Sequence, residues 1–126
     1  MYKKLLILFL LIILGSYSAM LFTTNSVIND FYDVVNNDLD ESNSYGELER
    51  YKVPSFDSVT YKETNSKIRR IFVLHNSNKG VMYVKYSYIM YDVTGDVITG
   101  STNIFSKWYL KKSGNRWLVT DIDEKP

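Results

Sequence analysis

The chain has 126 residues, 45% of them hydrophobic and 15% aromatic, with 11 tyrosines, no cysteine and a formal net charge of +1. That length suits one small domain. The missing thiols exclude a disulfide scaffold, a cysteine-based zinc site, a cysteine nucleophile and a lipoprotein anchor.

Along the chain, Lys3 and Lys4 precede Leu5 to Leu14, an unbroken apolar run, and no charge follows until after Phe22. A secretory signal needs a basic start, a short apolar stretch and small residues at the cleavage site, whereas an anchor needs about 17 to 25 apolar residues. Ser16 and Ser18 offer the small pair for cleavage near Ser18, but Met20-Leu21-Phe22 extends the apolar run beyond it. Length favours a retained anchor over residues 5–22. Either way, the lysines before the run place the N-terminus in the cytoplasm and residues 23–126 outside. The expected location is the cell membrane, single-pass with the C-terminal domain outside, or the medium if the segment is cleaved.

The next region alternates apolar and polar residues at helical spacing. Val27, Ile28, Phe31, Tyr32, Val34, Val35 and Leu39 recur every three or four positions, which predicts an amphipathic helix over about 25–38. Thr24, Asn25 or Ser26 can cap it, and Asp30 and Asp33 suit its first turns. Asp38 to Tyr45 reads as a loop, and Gly46 to Lys52 as one further helical turn. From Asp30 to Glu49 there are seven acids and no base, whereas Arg50 to Pro126 carries 13 bases and seven acids. An acidic front therefore precedes a basic body, an asymmetry that steers a partner or folds back on itself.

Beyond Pro54 the period changes to that of strands. Phe56 to Glu63, Ile68 to His75, Val81 to Val93, Val97 to Leu110 and Arg116 to Ile122 are rich in β-branched and aromatic residues. Turn residues separate them at Thr64-Asn65-Ser66, Asn76 to Gly80, Thr94-Gly95-Asp96 and Ser113-Gly114-Asn115. Short connections make neighbours antiparallel, so the expectation is a curved meander of four or five strands with a bulge at Gly100. One amphipathic helix packed on it defines an α+β domain over 23–126.

The stretch Trp108-Tyr109-Leu110-Lys111-Lys112-Ser113-Gly114-Asn115-Arg116-Trp117-Leu118-Val119-Thr120-Asp121-Ile122 resembles the closing hairpin of small cystatin-like and nuclear-transport-factor-two-like domains. The resemblance implies a helix lying across a bent sheet, and it carries no catalytic residue. Some bitopic subunits of conjugation and type IV secretion assemblies share this organisation, and polyketide-cyclase-like enzymes share the fold.

Few residues offer chemistry. His75 is the only histidine in the sequence. It sits at a strand end, where an ordinary hydrogen bond explains it. Asn36, Asp38, Asp40 and Glu47 fall on positions of a calcium-loop frame, but Glu41 stands where the sharp turn needs glycine. A solvated acidic loop is the expectation, with no metal and no cofactor. Asp121 and Asp123 share a strand face, as do Asp92 and Asp96, and such pairs can do acid–base work if buried, but both sit near strand ends and turns where exposure is expected. Met82, Val84, Tyr86, Tyr88 and Met90 form one face of a strand and Ile104, Trp108 and Leu110 that of the next. Core is the reading for this face, with Tyr86, Tyr88 and Trp108 lining a pocket in the enzyme alternative. The opposite face, with Tyr83, Lys85, Ser87 and Tyr91, is the candidate partner surface, and Tyr83, Lys85 and Tyr91 are its binding residues. Lys67, Arg69, Arg70, Lys107, Lys111, Lys112 and Arg116 supply cations for an anionic partner; export disfavours nucleic acid and favours the cell envelope. Abundant Asn, Lys, Ile and Tyr, all with AT-rich codons, suit an AT-rich bacterium. The sequence thus predicts a small exported, membrane-tethered, non-enzymatic binding or accessory domain with a protein partner at the envelope.

Overall fold

The computed structural model describes residues 1–52 and 61–124. The apolar N-terminal run forms α1 (Tyr2–Thr23), whose side chains from Leu5 to Leu14 are all exposed. Uninterrupted apolar residues without proline favour the helix. None of its residues is buried by the rest of the described chain. With a mean hydropathy of 2.6 over its most apolar window, this helix is long and apolar enough to cross a membrane or to act as a signal sequence.

A one-residue hinge at Thr24 separates α1 from α2 (Asn25–Val35). Of the three cap candidates, Thr24 occupies the N-cap position of α2, but its hydroxyl donates to the Met20 carbonyl at 2.7 Å. The preceding turn of α1 thus takes the hydroxyl, and α2 has no side-chain cap bond. Val27, Phe31, Val34 and Val35 form the buried stripe of α2. Asp30, expected near solvent at the helix start, is buried with that stripe and receives two hydrogen bonds from Arg116, at 2.7 and 2.8 Å. A short 3-10 helix, α3 (Gly46–Tyr51), follows the acidic loop and buries Leu48 and Tyr51. Gly46 adopts φ +58° with the Val119 carbonyl where a Cβ would stand. Any other residue there would push α3 off the sheet.

Four strands form one antiparallel sheet in chain order: β1 (Tyr61–His75), β2 (Lys79–Asp92), β3 (Val97–Ser113) and β4 (Arg116–Glu124). The class is α+β, with α2 and α3 packed on the inner face of a four-stranded meander. The turn expected at Thr64-Asn65-Ser66 does not form. These residues pair in unbroken register with Met90, Ile89 and Tyr88, and the Thr64 hydroxyl donates to the Val35 carbonyl, so the partner strand and α2 absorb their polarity. The part of the expected first strand from Phe56 to Thr60 lies outside the described residues. β3 has two bulges, neither at Gly100: Asn103 takes φ 53° and its N–H donates to Ser87 Oγ at 2.8 Å, Ile98 is an extra residue between the pairs Met90 with Thr99 and Tyr91 with Val97, and Gly100 pairs regularly with Ile89.

Two further irregularities set which side chains face in. In β1, Arg70 pairs with Val84 and Phe72 with Tyr83, leaving Ile71 as an extra residue. In β4, Thr120 is the extra residue between the pairs Tyr109 with Asp121 and Leu110 with Val119. Each bulge resets the alternation of its strand. Val73 therefore enters the core beside Met82, while Phe72 turns outward.

Candidate functional site

On the inner face the aromatic residues pack against one another. Phe31 of α2 lies 5.5 Å from Tyr86 and 5.8 Å from Trp108, and Tyr51 of α3 lies 5.1 Å from Tyr86 and 6.1 Å from Tyr88. Tyr86, Tyr88 and Trp108, the expected pocket residues, are thus covered by the helical side chains, with Trp108 fully buried. The polar ends converge on one acid: Tyr51 donates to Glu124 Oε1 at 3.1 Å and Tyr86 to Glu124 Oε2 at 2.7 Å. Burial pushes the Tyr51 phenol up to about 12, opposed by its hydrogen bond with Tyr86 and reinforced by the Glu124 charge. Tyr86 is raised as well, by burial first and then by its bonds to Tyr51 and Glu124. Two neutral phenols holding a carboxylate form a structural clasp between α3, β2 and β4.

The other candidate groups have local tasks. The His75 ring bridges the Thr23 hydroxyl at 2.9 Å and the Asn76 carbonyl at 2.7 Å, and lies 4.6 Å from Trp117. Asp40 accepts from the Ser42 N–H, the Ser42 hydroxyl and Asn43, and the Ser42 bonds hold its carboxyl below the usual range. Among the described residues no three His, Cys, Asp or Glu side chains come together to hold a metal ion. Asp92 binds Thr94 and the turn amides, and Asp121 and Asp123 are exposed on β4.

The cations divide by task. Arg70 lies on the inner side of β1, where its guanidinium donates to the Leu21 carbonyl at 2.9 Å, Thr24 Oγ1 at 3.1 Å and Asn25 Oδ1 at 2.9 Å. A cation at the last carbonyls of α1 complements the helix dipole. Arg116 holds Asp30, whose pKa burial nonetheless raises. Lys112 lies over Trp117 at 5.9 Å. Lys67 and Arg69 are exposed on the outer face of β1, with Lys107 on β3.

That outer face carries the surface the sequence pointed to, in altered form. Tyr83 and Lys85 stand on it beside Phe72 and Phe105. Phe72 lies 6.4 Å from Tyr83, Lys85 sits 5.1 Å above Phe105, and Lys107 sits 5.6 Å from Tyr83 and 4.8 Å from Tyr109. Cations over ring faces are held without losing contact with water. Ile71, Phe72, Leu74, Tyr83 and Phe105 are all exposed. An open groove of about 900 Å³ runs between Ile71, Phe72, Tyr83, Phe105, Lys107 and Asp123. Tyr91, the third expected residue, pairs with Val97 near the far hairpin. It stands roughly 26 Å along β2 from Tyr83 at the usual strand rise, and it does not join the patch. Phe72 is missing from the surface drawn from sequence because the extra residue Ile71 resets the alternation of β1, whereas Phe105 follows from plain alternation with the buried Ser106 and Trp108.

The fold and this surface define an α+β domain behind a long apolar N-terminal helix, with an aromatic and cationic outer sheet face. No protein-family model, no curated protein and no solved structure matches the chain.

Proposed function

We propose that the chain is a membrane-tethered, non-enzymatic binding or accessory domain at the bacterial cell envelope, with α1 retained as a single-pass anchor and the outer face of its cystatin-like sheet as the recognition surface. The observation that carries the tether is the packing of α1 itself. Tyr17 stacks on Phe72 at 5.9 Å, its hydroxyl accepts from the Val73 N–H, and the Leu21 carbonyl accepts from Arg70. Cleavage near Ser18 would strip Tyr17 from the sheet and uncover Phe72, a result ill suited to a signal sequence meant to be lost. The non-enzymatic reading rests on what the candidate groups do: His75, Asp40, Asp92 and Glu124 are each engaged in structural hydrogen bonds.

Membrane fractionation tests the tether. Full-length chain should stay with the membranes through alkaline extraction; recovery in the medium of a form beginning near Ala19 would overturn the anchored reading.

A further inference from the structure

The contact between Tyr17 and Phe72 fixes the distance between the sheet and the membrane. An uncharged stretch from Leu5 to Phe22 spans about 27 Å as a helix, barely the roughly 30 Å of a bilayer hydrocarbon core, so a spanning α1 needs all of it. Tyr17 lies five residues before Phe22, about 7–8 Å short of the exit end along the axis. Yet its ring is stacked on a β1 side chain and its hydroxyl is bonded to the β1 backbone. The outer face of β1 cannot then stand clear of the bilayer.

The residues beside that contact suit such a place. A row of touching side chains runs from Tyr17 to Phe72, Tyr83, Lys107 and Tyr109, crossing three strands on one face. Leu74 and Ile71 flank it, 52% and 43% exposed. Clustered apolar exposure of this kind marks an interaction surface. Lys67, Arg69 and Lys85 supply positive charge on the same face. A second groove, about 820 Å³, continues the relief past Leu74, Val81, Tyr109 and Lys111. Aromatic rings with polar tips, aliphatic side chains and basic residues together are the chemistry of the membrane interface.

We propose that the outer face of the sheet lies against the bilayer that α1 crosses, with Ile71, Phe72, Leu74 and Tyr83 in the interfacial layer and Arg69, Lys85 and Lys107 on anionic phospholipid headgroups. This deepens the tether reading and rests on it. The domain is thereby held flat on the membrane, and its acidic loop and β2–β3 hairpin remain to meet other partners.

The absence of native cysteine makes the test direct. Single-cysteine variants of the full chain, Leu74→Cys, Phe105→Cys, Glu41→Cys and Ile12→Cys, carry an environment-sensitive fluorophore in vesicles of phosphatidylglycerol and phosphatidylcholine. Labels at 74 and 105 should be several-fold less open to aqueous acrylamide than the label at 41, and several-fold more quenched by headgroup spin labels. Pure phosphatidylcholine, or the pair Lys85→Glu and Lys107→Glu, should return both labels toward the exposure of position 41. If positions 74 and 105 match position 41 while position 12 is protected, the docking is wrong and the tether stands. An open label at position 12 sinks the tether itself. Protection that is equal in neutral lipid removes the headgroup role, and protection seen only in native membranes assigns the face to a protein partner and overturns the proposal.

Discussion

The two faces of the sheet carry similar aromatic side chains to opposite ends. On the inner face Tyr86 and Trp108 are shut under Phe31 and Tyr51, and the phenols of Tyr51 and Tyr86 are drawn to one carboxylate. On the outer face Phe72, Tyr83 and Phe105 stay open, with lysines laid over Tyr83 and Phe105. Aromatic content therefore does not separate core from surface in this chain. The inner cluster stabilises by excluding water, and the outer cluster stays exposed to solvent because neither α2 nor α3 covers it.

That contrast can be broken most severely at Phe31, which touches Tyr32, Tyr51, Tyr86 and Trp108. Phe31→Ala should cost about 3–5 kcal/mol, the range for truncating a buried aromatic residue. Denaturant unfolding of the full chain in detergent micelles, followed by Trp108 and Trp117 fluorescence, measures it; a loss below about 1 kcal/mol would show that the inner cluster is not the core.

Alkaline pH probes the phenol clasp. The Tyr51 phenol is held up to about 12 in the folded chain against an ordinary 10.0, so its contribution is complete below pH 10 and is lost as pH rises to 12. Stability should fall by about 2–3 kcal/mol across that window, since a tenfold change in proton affinity is worth about 1.4 kcal/mol. Tyrosinate absorbance of the folded chain should leave Tyr51 and Tyr86 un-ionised at about pH 10, where a free phenol is half ionised; Tyr51→Phe should flatten the stability loss.

Arg116→Ala is a smaller test, because Arg116 is partly exposed. Leaving Asp30 buried without its partner should cost about 1–2 kcal/mol near neutral pH. A carboxyl with a raised pKa contributes stability that is present below the ordinary carboxylate range and lost as pH rises through the folded value. The variant should therefore regain part of its deficit on acidification toward about pH 4, and a deficit independent of pH would point to lost packing instead.

Phe105→Ser should change stability least, within about 0.5 kcal/mol, as for surface substitutions generally. Its ring is exposed. A loss as large as that of Phe31→Ala would erase the distinction between the faces.

Much of the fold was legible in the sequence, and each part by a physical rule. The α2 stripe of Val27, Phe31, Val34 and Val35 follows from helical spacing, and the alternation of Met82, Val84 and Tyr86 from the two-residue strand period. The closing turn at Gly114 follows from turn chemistry, and its glycine takes the positive φ such a turn needs. Three misreadings share one cause, contacts distant in sequence. Thr64-Asn65-Ser66 carries turn chemistry, yet it lies where β2 offers an unbroken ladder. Pairing outweighed local preference there. Asp30 reads as a residue of the helix start until Arg116, 86 positions away, meets it. Arg70 reads as one of a basic set but is engaged at the end of α1.

By itself the sequence determined the apolar N-terminal helix, the amphipathic α2, the antiparallel order of the strands and the segregation of charge, because each is written in composition or in a period of a few residues. Only the tertiary structure decided which aromatic residues are covered and which are bare. Bulges interrupt the register at Ile71, Asn103 and Thr120. A one-residue shift exchanges the faces of a strand. That exchange turns Phe72 outward, where it stacks on Tyr17 of the apolar N-terminal helix.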